Sequence, residues 1–149
     1  MGETQLSVAA IENGTVIDHI PAGQGMRIVR LLKLADHKKK VTLGLNLPSK
    51  SLGYKDLIKV EGREVSEEEA NQIALFAPKA TLNIIRNYRI EKKFAVTLPT
   101  TISKILTCPN QQCITNHEQV QTQFRVSRFG HRVMLHCDFC EKGFAHDCY

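Results

Sequence analysis

The sequence predicts an α+β chain in two parts, and three observations lead there. Apolar residues over the first hundred positions switch between period two and helical spacing, in the order strand, helix, strand, strand, helix, strand. Four of the five cysteines then fall in two close pairs within the last third. Between these regions lies Ala95-Val-Thr-Leu-Pro99, a short connection without Gly or Ser, which reads as a tether and not a flexible linker. The expected division is residues 1–98 and residues 99–149.

Taken in order, Leu6 to Ile11 reads as a strand, Asn13-Gly14 as a tight turn and Thr15 to Ile20 as extended chain. Pro21 is expected to start a helical stretch. Met26, Ile28, Val29, Leu31, Leu32 and Ala35 give it an apolar face, and the basic run His37-Lys38-Lys39-Lys40 closes it. Val41, Leu43, Leu45 and Leu47 alternate as a half-buried strand should, and Pro48 is expected to break it. Tyr54 to Val60 makes the next strand, with Lys55, Leu57 and Lys59 on one face. Ser66-Glu-Glu-Glu69 is a capping box. Ala70, Ile73, Ala74 and Ala77 extend the helix it opens, to the stop at Pro78. Thr81 to about Phe94 is extended again. This order is the split βαβ pattern of a ferredoxin-like βαββαβ sheet, two helices covering one face and the other left open.

The cysteines carry the second part. Cys108-Pro-Asn-Gln-Gln-Cys113 and Cys137-Asp-Phe-Cys140 can converge on one tetrahedral ion, and Zn²⁺ suits four thiolates. A region of about fifty residues buries little surface. Its apolar residues (Ile102, Ile105, Leu106, Phe124, Val126, Phe129, Val133, Leu135, Phe139 and Phe144) promise a thin core. Zinc can contribute on the order of 10–16 kcal/mol of folding free energy. The expectation is one structural zinc per chain in a small β domain, with no open coordination position and hence no metal catalysis.

Composition narrows the function classes. The net charge is +5, but residues 100–149 carry only five Lys/Arg against four Asp/Glu. Four thiolates and a divalent ion take that part to about −1, whereas a module that grips phosphate backbones is clearly basic. On that charge balance a zinc-ribbon nucleic-acid or transcription-type adaptor is the weaker alternative. A metalloenzyme is the third reading. The Walker pattern is absent, and no nucleophile–base constellation has local support. With no apolar leader or membrane-length run, the cytoplasm is the expected compartment.

Several blocks then become recognisable. They are Gly14-Thr-Val-Ile-Asp-His-Ile-Pro21, Thr42-Leu-Gly-Leu-Asn-Leu-Pro-Ser49, Lys55-Asp-Leu-Ile-Lys59 and Phe76-Ala-Pro-Lys-Ala-Thr81, followed by the two cysteine motifs. Together they closely resemble the regulatory chains of aspartate carbamoyltransferase, in one order from about residue 6 to residue 146. The resemblance implies a chain without catalytic activity of its own, whose first domain binds CTP and UTP as inhibitors and ATP as activator. It implies a homodimer with a second regulatory chain, and a zinc domain docked on the catalytic chain. Three regulatory dimers would join two catalytic trimers in a dodecamer, with neither nucleic acid nor membrane as partner. Carried over by position, the nucleotide pocket would comprise Val8, Ala10, Ile11, Val16, Asp18, His19, Lys59, Asn83, Ile85, Tyr88, Ile90 and Lys93. Asp18 can accept ribose hydroxyls, while His19, Lys59 and Lys93 can meet a triphosphate. The metal ligands would be Cys108, Cys113, Cys137 and Cys140.

Overall fold

The computed structural model describes residues 10–130 and 132–149, except the side chain of Cys148. Its backbone contacts separate a unit running to Thr97 from a unit Leu98–Tyr149. Among the described residues, no helix is long and apolar enough to cross a membrane.

The first unit contains β1 (Gly14–Pro21), α1 (Gly25–Leu31), β2 (Val41–Ser49), β3 (Gly53–Glu61), α2 (Glu67–Gln72), β4 (Thr81–Arg86) and β5 (Arg89–Ala95). The sheet order is β2-β3-β1-β4-β5, every neighbour antiparallel. Its first four strands have the expected ferredoxin-like arrangement, and β5 adds an edge. Opposed residues share a face, so the register fixes the rows. Ile58, Ile17 and Leu82 form one row and Val60, Thr15 and Ile84 another, all buried. Ile28 of α1, Ala70 of α2, and Ile73 and Ala77 just after α2 are buried as well. Thr15 donates its Oγ1–H to the Arg63 carbonyl (2.7 Å) and accepts the Val65 N–H (3.0 Å).

Several local expectations change. Pro21 stays in β1 opposite Lys55, and α1 starts only at Gly25, because the Gln24 N–H closes a turn onto the Pro21 carbonyl (3.0 Å). Pro48 does not end β2; this is an edge strand, where a missing N–H need cost no ladder bond, and pairing continues to Ser49. Beyond Gln72, α2 gives way to tight turns through Ala77. The stretch from Thr81 to Phe94 is two strands, folded back at Asn87 and Tyr88, whose φ angles are +53° and +66°. Both belong to a primed hairpin turn. Of the expected first strand, residues 6–9 lie outside the described residues, and Ala10 and Ile11 are not in a strand.

The capping box is present: the Glu69 N–H donates to Ser66 Oγ (3.2 Å), and the Ser66 N–H donates back to the Glu69 carboxylate. Gly14 is required where it stands. Its φ is +146°, and a Cβ there would lie 2.0 Å from the Val60 carbonyl oxygen.

The second unit is a four-stranded antiparallel sheet, β6 (Thr101–Ser103), β7 (Gln123–Phe129), β8 (Arg132–Cys137) and β9 (Gly143–Ala145), in sequence order. Ile102, Phe124 and Leu135 are fully buried, and Tyr149 packs edge-on against Phe124 at 5.1 Å. Phe129 and Phe139, expected in the core, are 67% and 44% exposed, so the core is thinner than the apolar count suggests. Phe129 ends β7 beside Gly130 (φ +62°), at the tip of the β7–β8 hairpin, where little surrounds it.

Candidate functional site

Two places gather chemistry-bearing residues, one in each unit. In the second, the sulfurs of Cys108, Cys113, Cys137 and Cys140 all lie within 4.8 Å of one another. The Cys108–Cys140 and Cys113–Cys137 separations are 3.8 and 3.7 Å. A tetrahedron with metal–sulfur bonds of about 2.3 Å has edges of about 3.8 Å. Two of the six edges already have that length, so the donor set fits a four-coordinate soft-ligand ion.

Local folding builds both arms. Asn110 Oδ1 accepts the Gln112 N–H (3.1 Å), and the Asn116 amide donates to the Cys108 and Asn110 carbonyls (3.0 and 2.8 Å), which curls the longer loop around its cysteines. The second arm is the turn between β8 and β9, closed by the Glu141 N–H on the Cys137 carbonyl (2.9 Å), with Glu141 at φ +64°. Each sulfur also has a main-chain N–H two residues on, from Asn110, Thr115, Phe139 and Lys142. Such donors favour the thiolate.

Burial dominates at Cys108 and pushes its thiol up to about 12; it also raises Cys137. Burial opposes ionisation at Cys140 too, but the Asn110 side chain, the Lys142 N–H and neighbouring thiols together outweigh it and bring the group to about 7. Cys113 is likewise lowered against its burial, with Thr115 supplying the leading opposing bonds. Four clustered anions repel, and a divalent cation at their centre is the natural way to hold all four deprotonated. The fifth cysteine, Cys148, has its side chain outside the described residues.

The other place is the open face of the five-stranded sheet. Register puts Thr42, Lys59, Val16, Asn83 and Lys93 in a single row across all five strands. Lys59 is 9% exposed, and burial lowers its ammonium pKa from the ordinary value. Asn83 Oδ1 is buried and has no hydrogen-bond partner among the described residues. Such an acceptor is rare in a closed structure and marks a place where a donor is wanted.

Two residues along, the face turns a corner at a bulge in β1. Asp18 accepts from Lys55 Nζ at 2.9 Å and from the His19 N–H at 2.6 Å. His19 has φ +59°, and its Nδ1 lies 3.0 Å from Thr81 Oγ1. At the other end Ile85 pairs with Ile90, and Tyr88 occupies the hairpin turn. The Tyr88 N–H donates to the Glu12 carbonyl (2.9 Å) and the Asn87 N–H to Asn13 Oδ1 (3.2 Å), tying the segment after Ile11 to that turn.

The residues singled out from sequence thus lie at three levels. Asp18 and His19 form the corner, and Val16, Lys59, Asn83 and Lys93 the row. Ile85, Tyr88 and Ile90 make the far end, with Ile11 buried nearby in sequence and Ala10 exposed. Val8 lies outside the described residues. Thr42 and Thr81 join this face without having been singled out; only strand register, which no local motif encodes, could have found them.

Comparison with known proteins comes from sequence. Residues 6–97 match the family described as aspartate carbamoyltransferase regulatory chain, allosteric domain, and residues 100–148 match the metal binding domain of the same chain. The chain is 51% identical over 145 residues to the aspartate carbamoyltransferase regulatory chain of Photobacterium profundum, covering 97% of this chain and 94% of that one. Its identity to the Chromobacterium violaceum regulatory chain is 50% over 141 residues, covering 95% and 93%. For the Vibrio cholerae chain the figures are 48% over 145 residues, 97% and 94%.

Proposed function

The chain belongs to the family of aspartate carbamoyltransferase regulatory chains, and from that premise we propose that its open sheet face binds nucleoside triphosphates and its cysteine cluster holds zinc. Membership makes it a regulatory component and not a catalytic one. The catalytic chain of aspartate carbamoyltransferase is its partner in function; the details of that partnership are part of this proposal.

CTP and UTP act as inhibitors and ATP as activator through one shared site. Lys59 and Lys93 take phosphate charge, Asp18 the ribose hydroxyls, and Asn83 Oδ1 a donor of the bound nucleotide. Val16, Ile85, Ile90 and Tyr88 give the ligand an apolar floor and wall. Effectors regulate by favouring one of two quaternary states of the partner, and only a difference in affinity between those states can do this. Cys108, Cys113, Cys137 and Cys140 hold a structural Zn²⁺, whose role when bound is to fix the fold of the docking unit. In the cytoplasm, two regulatory chains pair, and three such pairs join two catalytic trimers.

The observation that carries the nucleotide reading is the cross-sheet row with its buried cation and orphan acceptor. Titration calorimetry on the zinc-loaded chain tests it. ATP and CTP are expected to compete for one site, and Lys59→Ala to weaken both by about tenfold or more. Absence of any nucleotide heat on the folded chain would remove the site. The nucleic-acid adaptor reading finds no support in either matched domain.

A further inference from the structure

β3 is flanked at one level by two irregularities. In β1, Ile17 opposes Ile58 while Ile20 opposes Asp56, so three steps on one strand match two on the other. In β2, Gly44 opposes Leu57 while Leu47 opposes Lys55, the same mismatch from the other side. Each is a bulge with a residue in the left-handed region, His19 in β1 and Asn46 (φ +57°) in β2. Between them sits Asp56, a carboxylate with no exposed surface. Its Oδ2 accepts the N–H groups of Gly23 (3.0 Å) and Gly25 (2.9 Å), which follow β1, and its Oδ1 accepts the N–H of Asn46 (3.0 Å), inside the β2 bulge. Gly25 makes this approach feasible, since a Cβ there would lie 2.9 Å from both Cβ and Oδ2 of Asp56.

The β1 bulge decides which way its residues point. Ile17 and Ile20 are both fully buried although three positions apart. Strict alternation would send them to opposite faces and turn His19 toward the core. The extra residue returns Ile20 to the buried side and leaves Asp18 and His19 at the open face. There Asp18 meets Lys55, the residue next to Asp56.

We propose that Asp56 is a positioning residue for the Asp18–His19–Lys55 corner, pinning both bulges from the opposite face of the sheet. The proposal rests on the nucleotide reading only for its consequence: effector affinity is tuned by a carboxylate that no effector touches. The level of Val16, Lys59, Asn83 and Lys93 lies on the regular side of the bulge and is independent of it.

Asp56→Asn is the discriminating change. A carboxamide presents one acceptor oxygen and one donor NH₂. Either Asn46 or the Gly23–Gly25 pair must then face another donor. In the full zinc-loaded chain without nucleotide, the amide resonances of Asp18 and His19 should move along with those of Gly25 and Asn46, while those of Asn83 and Lys93 stay. ATP affinity should fall by about tenfold, coupled to Lys55→Ala in a double-mutant cycle but additive with Lys93→Ala. Resonance changes confined to residues 23–25 and 46, or additivity in both cycles, would overturn the assignment. If Asp56→Asn does not fold, Gly25→Ala carries the same two readouts, because it displaces the carboxylate and keeps its charge. An unaltered chain that binds no ATP would sink the nucleotide reading, and the His19 resonance would still decide the positioning.

Discussion

Lys59 shows how a single residue is set up by its place in the sheet. It sits on the open face of β3, flanked by Thr42 and Val16, and burial disfavours its charged form. A polyphosphate beside it favours that form again, so binding and protonation are linked. Nucleotide affinity should therefore decline as pH rises through the depressed ammonium pKa, below the ordinary 10.5. Binding near that pH should take up protons. Calorimetry in buffers of different ionisation enthalpy reads the uptake directly, and Lys59→Arg, which stays charged, should abolish it. Phe124 is a residue of the opposite kind, fully buried and stacked edge-on with Tyr149. In so thin a core, Phe124→Ala should cost about 3–5 kcal/mol, seen as a lowered unfolding midpoint of the second unit.

At the scale of elements, the β4–β5 hairpin places function against stability. Its turn puts Tyr88, 66% exposed, at φ +66°, where a side chain other than glycine is disfavoured. Tyr88→Gly should stabilise the hairpin by up to about 1 kcal/mol in thermal unfolding while weakening nucleotide binding, a trade that a purely structural tyrosine would not show. This turn also marks what sequence can convey. The capping box at Ser66 and the cysteine quartet were legible because each is a local pattern with its own chemistry. The hairpin was not, since Asn87-Tyr88 lacks the glycine that announces a primed turn. Neither bulge was legible, because each exists to reconcile burial on two strands at once. The row from Thr42 to Lys93 was readable only in fragments, since five strands must be in register before it becomes a row.

For the whole molecule, the two units depend on different forces. The first has a helix-covered sheet with rows of buried aliphatic side chains, and the second has a few core residues around four sulfurs. Small units of this kind depend on their metal. Chelating it should therefore expose the backbone amides of β6, β7, β8 and β9 to hydrogen exchange while those of β1, β3 and β4 remain protected. Mass spectrometry of exchanged fragments distinguishes this from global unfolding. The strand order of the first unit has a kinetic consequence as well. β1 is the earliest described strand, yet it lies in the middle of the sheet, with Gly14 opposite both Glu61 and Ile85. As the chain leaves the ribosome, that strand must wait for roughly seventy further residues before its second neighbour exists, a long closure of the kind that slows folding. Birth order and position in the sheet run against each other, and a nascent chain halted before β4 has a central strand with one side bare.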